Sequence, residues 1–430
     1  MCLTDPSETE TTHRSVWRIG EYRRLWLGTA VMMLANQAEH LAVGWAVLAN
    51  TDSVFLAAAS YAVRKIPGSL IAPVAGDASD RLSPRRLLVA TSLYKSVIVL
   101  LLGWLSLDDF ELIWAVFVLA ALSGVGRSFE TPATQKLITD IVPKEMILQG
   151  VALQGTGTRA VGALGALLGG FVIHSIGTPA VLFGGAGVLV IGAAIIWTLP
   201  ARSLEREGML RGSFRDDFNP GGDDSERAVA GGPVFSEAFK GLIWLMKRPV
   251  VRSLLWAAFI VEMFGFAYNA LLPSIARDVL NLGADGLGEL TFAAGMGSMS
   301  GAAVLAAANA FHRKGLLFIG ITFVYGIFLV GFAMSGIFSI SLVLIVGVGA
   351  SAGMFDTMQM TLLQQHVPND VRGRAIGGWV FAVNFAWMGQ MVLGYVTESV
   401  GVQWALAGAG GLVIATGLAA VLVSPGLRRA

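Results

Sequence analysis

The sequence predicts an all-α membrane protein of twelve transmembrane helices in two six-helix, pseudo-symmetric bundles, and three observations carry that prediction. Hydrophobic residues make up 55% of the chain and charged residues 14%, about half the charged share usual in a soluble domain. The apolar residues fall into twelve runs, each long enough to cross a bilayer. Lysine and arginine gather in alternate connections between those runs.

A hydrocarbon core about 30 Å thick takes about 20 helical residues to cross. Runs of that order lie at 25–49, 54–76, 87–107, 112–134, 149–174 and 179–199, and again at 251–273, 287–310, 315–335, 338–363, 374–397 and 402–423. They read as helices, because a lone strand would leave its backbone groups unpaired in lipid. Residues 1–24 are polar and read as a cytoplasmic segment. The first apolar run is too long for a signal-peptide core and no soluble domain follows it, so it reads as a span.

Orientation follows from the basic residues. Arg14, Arg18, Arg23 and Arg24 precede the first span, and Arg81, Arg85 and Arg86 fill the second connection. Lys136 and Lys144, Arg313 and Lys314, and Arg372 and Arg374 mark the fourth, eighth and tenth connections, and Arg428 and Arg429 the tail at 424–430. The odd connections are nearly free of them, Arg277 excepted. By the positive-inside rule both termini and the even connections face the cytoplasm, and an even number of spans agrees.

The sixth connection, 200–250, divides the chain into an N-terminal bundle over 25–199 and a C-terminal bundle over 251–423. Residues 208–232, rich in Gly, Asp, Ser and Arg, read as a disordered linker. Near 235–248, Phe235, Phe239, Leu242, Ile243 and Met246 recur at helical spacing among lysines and predict an amphipathic helix on the cytoplasmic face. The halves are weakly repeated. Thr139 to Glu145 (TDIVPKE) aligns with Gln364 to Asp370 (QQHVPND), each closing the fourth span of its half, at an offset of 225 from Pro143 to Pro368. Such parallel six-span repeats are a transporter pattern.

Several function classes drop out. Net charge is +1, so no global field points to nucleic acid. Cys2 is the single cysteine, and the five histidines have no metal-ligand spacing. No phosphate-binding Gly-Lys-Ser/Thr loop and no nucleophile elbow is present. The reading is therefore not an enzyme, with no cofactor and no metal.

The most specific motif follows the second span: Gly76-Asp77-Ala78-Ser79-Asp80-Arg81-Leu82-Ser83-Pro84-Arg85-Arg86. Gly76 lets helix backbones approach, and Asp80 can face a helix N-terminus or a cation of the other half. Arg81, Arg85 and Arg86 anchor the loop inside, and a plain positive-inside loop would explain those three alone. The segment resembles the signature loop of the major facilitator superfamily, with Ser83 where a glycine is usual and Pro84 before the basic pair. The resemblance implies a cytoplasmic gate formed by Gly76, Asp80, Arg81, Arg85 and Arg86; the matching loop of the second half, Phe311 to Gly315, is degenerate.

Ala133 to Ala152, Leu272 to Leu282, Thr361 to Gly377 and Glu237 to Leu254 are similar to the enterobactin-exporter and macrolide-efflux branch, the third drug:proton antiporter family of that superfamily. This implies alternating-access export of a drug-like or siderophore-like small molecule, driven by proton entry, at a prokaryotic inner membrane. Gly162, Gly165, Gly169 and Gly170 in span five resemble an antiporter motif, with Ala166 in place of its proline; close helix packing explains them equally. An importer or facilitator of the same fold, or a sensor or scaffold that lost transport, are the rival readings.

Polar residues at membrane depth are costly and must face a cavity or a partner. Glu39 on span one and Arg64 on span two lie at similar depth and are expected to pair or share a cavity, as proton-coupling candidates; a static buried pair is the alternative. Asn36, Glu262, Phe266 and Asn269 are the substrate-cavity candidates, Glu262 and Asn269 standing seven residues apart on one α-helical face with Phe264 and Tyr268 nearby. Arg127 and Glu130, one turn apart, are expected to pair. Asp356 reads as near the cytoplasmic end, and Lys95, Arg159 and Asn384 have no assigned role. The expected partners are the substrate, protons and the bilayer, with no nucleic acid, for a chain that can work as a monomer.

Overall fold

The computed structural model describes residues 15–200, 249–307, 313–367 and 386–423; over 72–81, and at a few helix ends, it describes the backbone alone. The linker, the expected amphipathic helix near 235–248, the tail and Asn384 lie outside the described residues.

Every long element among the described residues is a helix: α1 Gly20–Thr51, α2 Val54–Arg81, α3 Pro84–Leu105, α4 Ile113–Ile141, α5 Ile147–Ile176 and α6 Thr178–Trp197. The second half holds α7, α8 Ala284–Ala307, α9 Lys314–Met334, α10 Phe338–His366, α11 Ala386–Val400 and α12 Val402–Val423. Helix α7 is the irregular one. It is α-helical over Pro249–Ile260, π-helical over Val261–Gly265, α-helical over Tyr268–Ser274 and π-helical again over Ile275–Val279.

Nine of these helices are long and apolar enough in their described residues to cross a membrane by themselves. The other three are α1, α8 and α11, and each has a physical reason. Asn36, Gln37, Glu39 and His40 dilute the middle of α1, α8 is built of Gly, Ala and Ser, and α11 is described only from Ala386. Outward-facing side chains such as Leu101, Trp104, Trp114, Val343 and Trp404 are largely exposed. Exposed apolar surface on that scale suits lipid and not water.

The packing repeats with the chain. In the first half α1 packs on α5 and α6, α2 on α4, and α3 on α4 and α6; in the second half α7 packs on α11 and α12, α8 on α10, and α9 on α10 and α12. The halves meet through α2 against α11 and α5 against α8, which exchange when the two bundles are exchanged. The repeat recurs in atomic detail. A Cβ on Gly124 would stand 2.0 Å from the Arg64 carbonyl oxygen, and one on Gly349 would stand 2.0 Å from that of Ala294. Only glycine allows α2–α4 and α8–α10 to approach this closely. The turns repeat too: Asp52 and Asn281, after α1 and α7, both have φ of 53°.

Candidate functional site

A cavity of about 600 Å³ lies between the halves, walled by residues of α1, α2, α4, α7, α8 and α11. Its size is in the range of small-molecule sites. The wall contributed by the first half is basic: Arg64, Lys65 and Arg127 line it, with His40 beside them. Asn269 and Leu272 of α7, Thr291 of α8 and Gln390 of α11 form the opposite side. Among the described residues, no aspartate or glutamate is on the wall.

Behind that wall sits the charge that neutralises Arg64. Glu39 is 1% exposed and Arg64 6%. Their side chains make two contacts of 3.0 Å, Nη1 to Oε1 and Nη2 to Oε2. Ser123 of α4 donates a further hydrogen bond of 2.9 Å to Glu39 Oε1. Three helices thus converge on one carboxylate, and Arg64 Nε is left buried with no partner. Two-point geometry is what a planar guanidinium does best.

Lys95 has a role that its sequence position did not show. It is fully buried, donates to Asn36 Oδ1, and pairs with Glu130 at 2.9 Å, while Asn36 Nδ2 donates to Glu130 Oε2 at 3.3 Å. This network corrects two expectations. Asn36 borders a second cavity of about 240 Å³ within the first half, which shares Arg127 and Thr131 with the wall of the central one. Glu130 is taken by Lys95 from α3, so Arg127 is turned into the cavities instead of pairing along its own helix. A lysine deep in an apolar helix signals a partner by itself, but the partner's identity depends on how α1, α3 and α4 pack.

The expected shared face of Glu262 and Asn269 also fails. The π-helical turns at Val261–Gly265 wind more slowly than an α-helix, and the seven-residue spacing no longer returns to one face. Asn269 reaches the cavity wall, its amide donating at 3.1 Å to the Phe266 carbonyl oxygen. Glu262 is off the wall, within electrostatic reach of Lys65 and Asp356. Phe266 turns to Tyr325, edge-on with ring centroids 5.9 Å apart. The aromatic residue on the wall is Tyr61, packed on the His40 ring at 4.2 Å. Asp356 of α10 is within electrostatic reach of Arg159 of α5, across the halves.

Polar contacts join the halves at the end bearing the odd-numbered connections. Arg277 of α7 donates to the Leu48 carbonyl oxygen at 2.8 Å and pairs with Asp52 at 2.9 Å. It thereby caps the C-terminus of α1, where a cation meets unpaired carbonyls. This explains the one basic residue that broke the sequence pattern. His174 of α5 stands 3.3 Å from Asp285 of α8, and Ser53, just before α2, donates to Glu398 of α11 at 2.7 Å. Gly170 lets α5 and α8 close there: a Cβ on it would stand 2.4 Å from the Ala284 carbonyl oxygen.

At the opposite end, Gly76 lies in α2, and the side chains of Asp80 and Arg81 are outside the described residues. Arg85 donates to the Trp197 carbonyl oxygen and stacks over that indole at 4.6 Å, so it ties α3 to the end of α6 within one half. Arg86 is exposed.

The chain is similar to known transporters along most of its length. Macrolide efflux protein A of Streptococcus pyogenes is 22% identical over 369 residues, covering 83% of this chain and 84% of that protein. Among solved structures, the nucleoside transporter NupG superposes with a TM-score of 0.68 at 14% identity, covering 94% of this chain and 99% of that one. A bacterial homologue of the human lysosomal transporter Spinster, inward-facing and unoccupied, superposes with a TM-score of 0.65 at 14% identity over 94% and 96% of the two chains. At such identities these structures speak for the fold alone. The family description that matches is the Major Facilitator Superfamily, over residues 25–389. With most of its length matched, twelve helices in two exchanged bundles and a cavity between them, this chain belongs to the major facilitator superfamily of membrane transporters.

Proposed function

We propose that this transporter is a proton-coupled exporter that moves a drug-like small molecule through the central cavity by alternating access. The observation that carries the reading is the buried Glu39–Arg64 pair, set at the back of the cavity wall and shared by α1, α2 and α4. A proton on Glu39 removes half of that pair and frees Arg64 on the wall, so protonation and the shape of the cavity are linked. Likeness to Macrolide efflux protein A favours export. Glu262 and Asp356, interacting across α7 and α10, are a second carboxylate pair for a proton to visit.

The orientation read from lysine and arginine puts the odd connections outside. On that assignment the contacts of Arg277, His174 and Ser53 close the outer end, an inward-facing arrangement like that of the Spinster homologue. Gly76, Asp80 and Arg81 would then serve the closing of the inner end.

The test is accumulation of a panel of dyes, macrolides and siderophores in cells lacking and making the protein, with and without a protonophore. Lower accumulation of at least one compound, restored by the protonophore, is the expected result. Unchanged accumulation of every compound, or efflux indifferent to the protonophore, contradicts the reading. Arg277→Gln supplies a second outcome. The Asp52 carboxylate is 87% exposed, and exposed pairs contribute about 0.2–1 kcal/mol. The variant is expected to raise the outward-open population by up to about fivefold, seen as faster reaction of an impermeant reagent at the outer end. An unchanged rate would show that Arg277 is no latch.

A further inference from the structure

We propose that the transported molecule is an amphipathic organic anion, its acidic group held by Lys65 and Arg127 and its apolar body lying against Leu41, Leu272 and Pro132. The inference rests on the transporter reading above and names the substrate class of that same cavity.

Four observations carry it. First, among the described residues the wall has cations and no carboxylate. The charged groups around it are Arg64, Lys65, Lys95 and Arg127 against Glu39, Glu130 and Glu262. Glu39 is engaged by Arg64 and Ser123, and Glu130 by Lys95 and Asn36. Glu262 is within electrostatic reach of Lys65 and off the wall. Among the described residues this leaves one more cation than carboxylate around the cavity.

Second, Lys65 and Arg127 are exposed side chains although they stand well inside α2 and α4. A cation at membrane depth is retained when it meets water and a ligand, since the same position filled by an apolar residue would cost nothing. Third, the pseudo-symmetric half shows that the fold does not require charge here. The close approach of α2 and α4 at Arg64 has its counterpart at Ala294, where α8 meets α10 with an uncharged side chain. The basic wall belongs to one half only. Fourth, two buried groups on the wall have unused hydrogen-bonding capacity: Arg64 Nε, and the Gln390 side-chain oxygen on a residue 2% exposed. A carboxylate, with two oxygens, fits a fork of Arg and Lys better than any neutral group.

Three probes with one apolar body and different charge test this: a dansyl amino acid, its methyl ester, and dansylcadaverine, which carries an amine. Binding to the purified full chain in nanodiscs is read from dansyl fluorescence. The expected result is saturable binding of the carboxylate, at least tenfold tighter than the ester, and none of the amine. Lys65→Gln and Arg127→Gln are expected each to weaken the carboxylate by tenfold or more. Their side chains face the cavity, so thermal melting of these variants should stay at the wild-type value. Lys65→Glu is expected to reverse the order, binding the amine above the carboxylate. Equal or tighter binding of the ester or the amine by the wild-type protein overturns the proposal, as does binding of none of the three. Carboxylate binding without movement driven by a pH gradient would contradict proton-coupled export and leave the charge selectivity standing. Gradient-driven movement of the amine alone would do the reverse.

Discussion

Glu39→Gln is expected to abolish the response of transport to a pH gradient and to lower the melting temperature, the largest combined effect of any single change in the chain. In the variant Arg64 stays buried with its two contacts to Oε1 and Oε2 reduced to one neutral acceptor. Breaking one side of a buried pair costs about 3–5 kcal/mol, because an uncompensated charge remains inside. Ser123 loses its charged acceptor as well. The double variant Glu39→Gln with Arg64→Gln removes both charges, and replacing a buried pair by neutral groups is often close to neutral. The double variant should therefore recover most of the lost stability and none of the pH response. That split separates coupling from folding. A Glu39→Gln protein that transports with unaltered pH dependence would leave Glu39 as a static structural pair.

Gly124→Ala should follow closely. The new Cβ would stand 2.0 Å from the Arg64 carbonyl oxygen, a distance no pair of atoms tolerates. Helices α2 and α4 must separate, and overpacking of this kind costs about 1–3 kcal/mol. Moving the backbone of Arg64 also shifts its guanidinium from Glu39, so transport should fall by more than stability does. Gly349→Ala is the control, since it makes the same contact with Ala294, which carries no charge. It should cost similar stability and far less coupling. Equal losses of transport in the two variants would show that the packing matters and the ion pair does not.

The helices, their pairing into two halves and the Glu39–Arg64 contact were legible because each rests on local or periodic features. Apolar length sets a span, basic connections set sides, and two opposite charges at one depth on neighbouring spans have few other partners. What could not be read depended on packing between distant helices. Lys95 looked isolated because Asn36 and Glu130 reach it from α1 and α4, 59 and 35 residues away in sequence. Arg127 looked paired with Glu130 for the same reason. Glu262 was placed on the cavity wall by counting α-helical turns, and the π-helical turns of α7 break that count. The residues around these turns, with Gly265 the single glycine of α7 between Phe264 and Phe266, gave no sign of the change in winding. Arg277, the exception among the odd connections, became intelligible only when Leu48 and Asp52 were found beside it.

The most direct test of the account is whether the central cavity opens to one side at a time. With Cys2 replaced by serine, Thr131→Cys and Thr291→Cys each place a single thiol on the wall, on α4 and α8. In sealed vesicles of known sidedness, a membrane-impermeant thiol reagent should reach both positions from the cytoplasmic side. Adding Arg277→Gln should transfer part of the labelling to the outer side and reduce it on the inner one. Labelling of both positions from both sides without such an exchange, or from neither, would contradict the account.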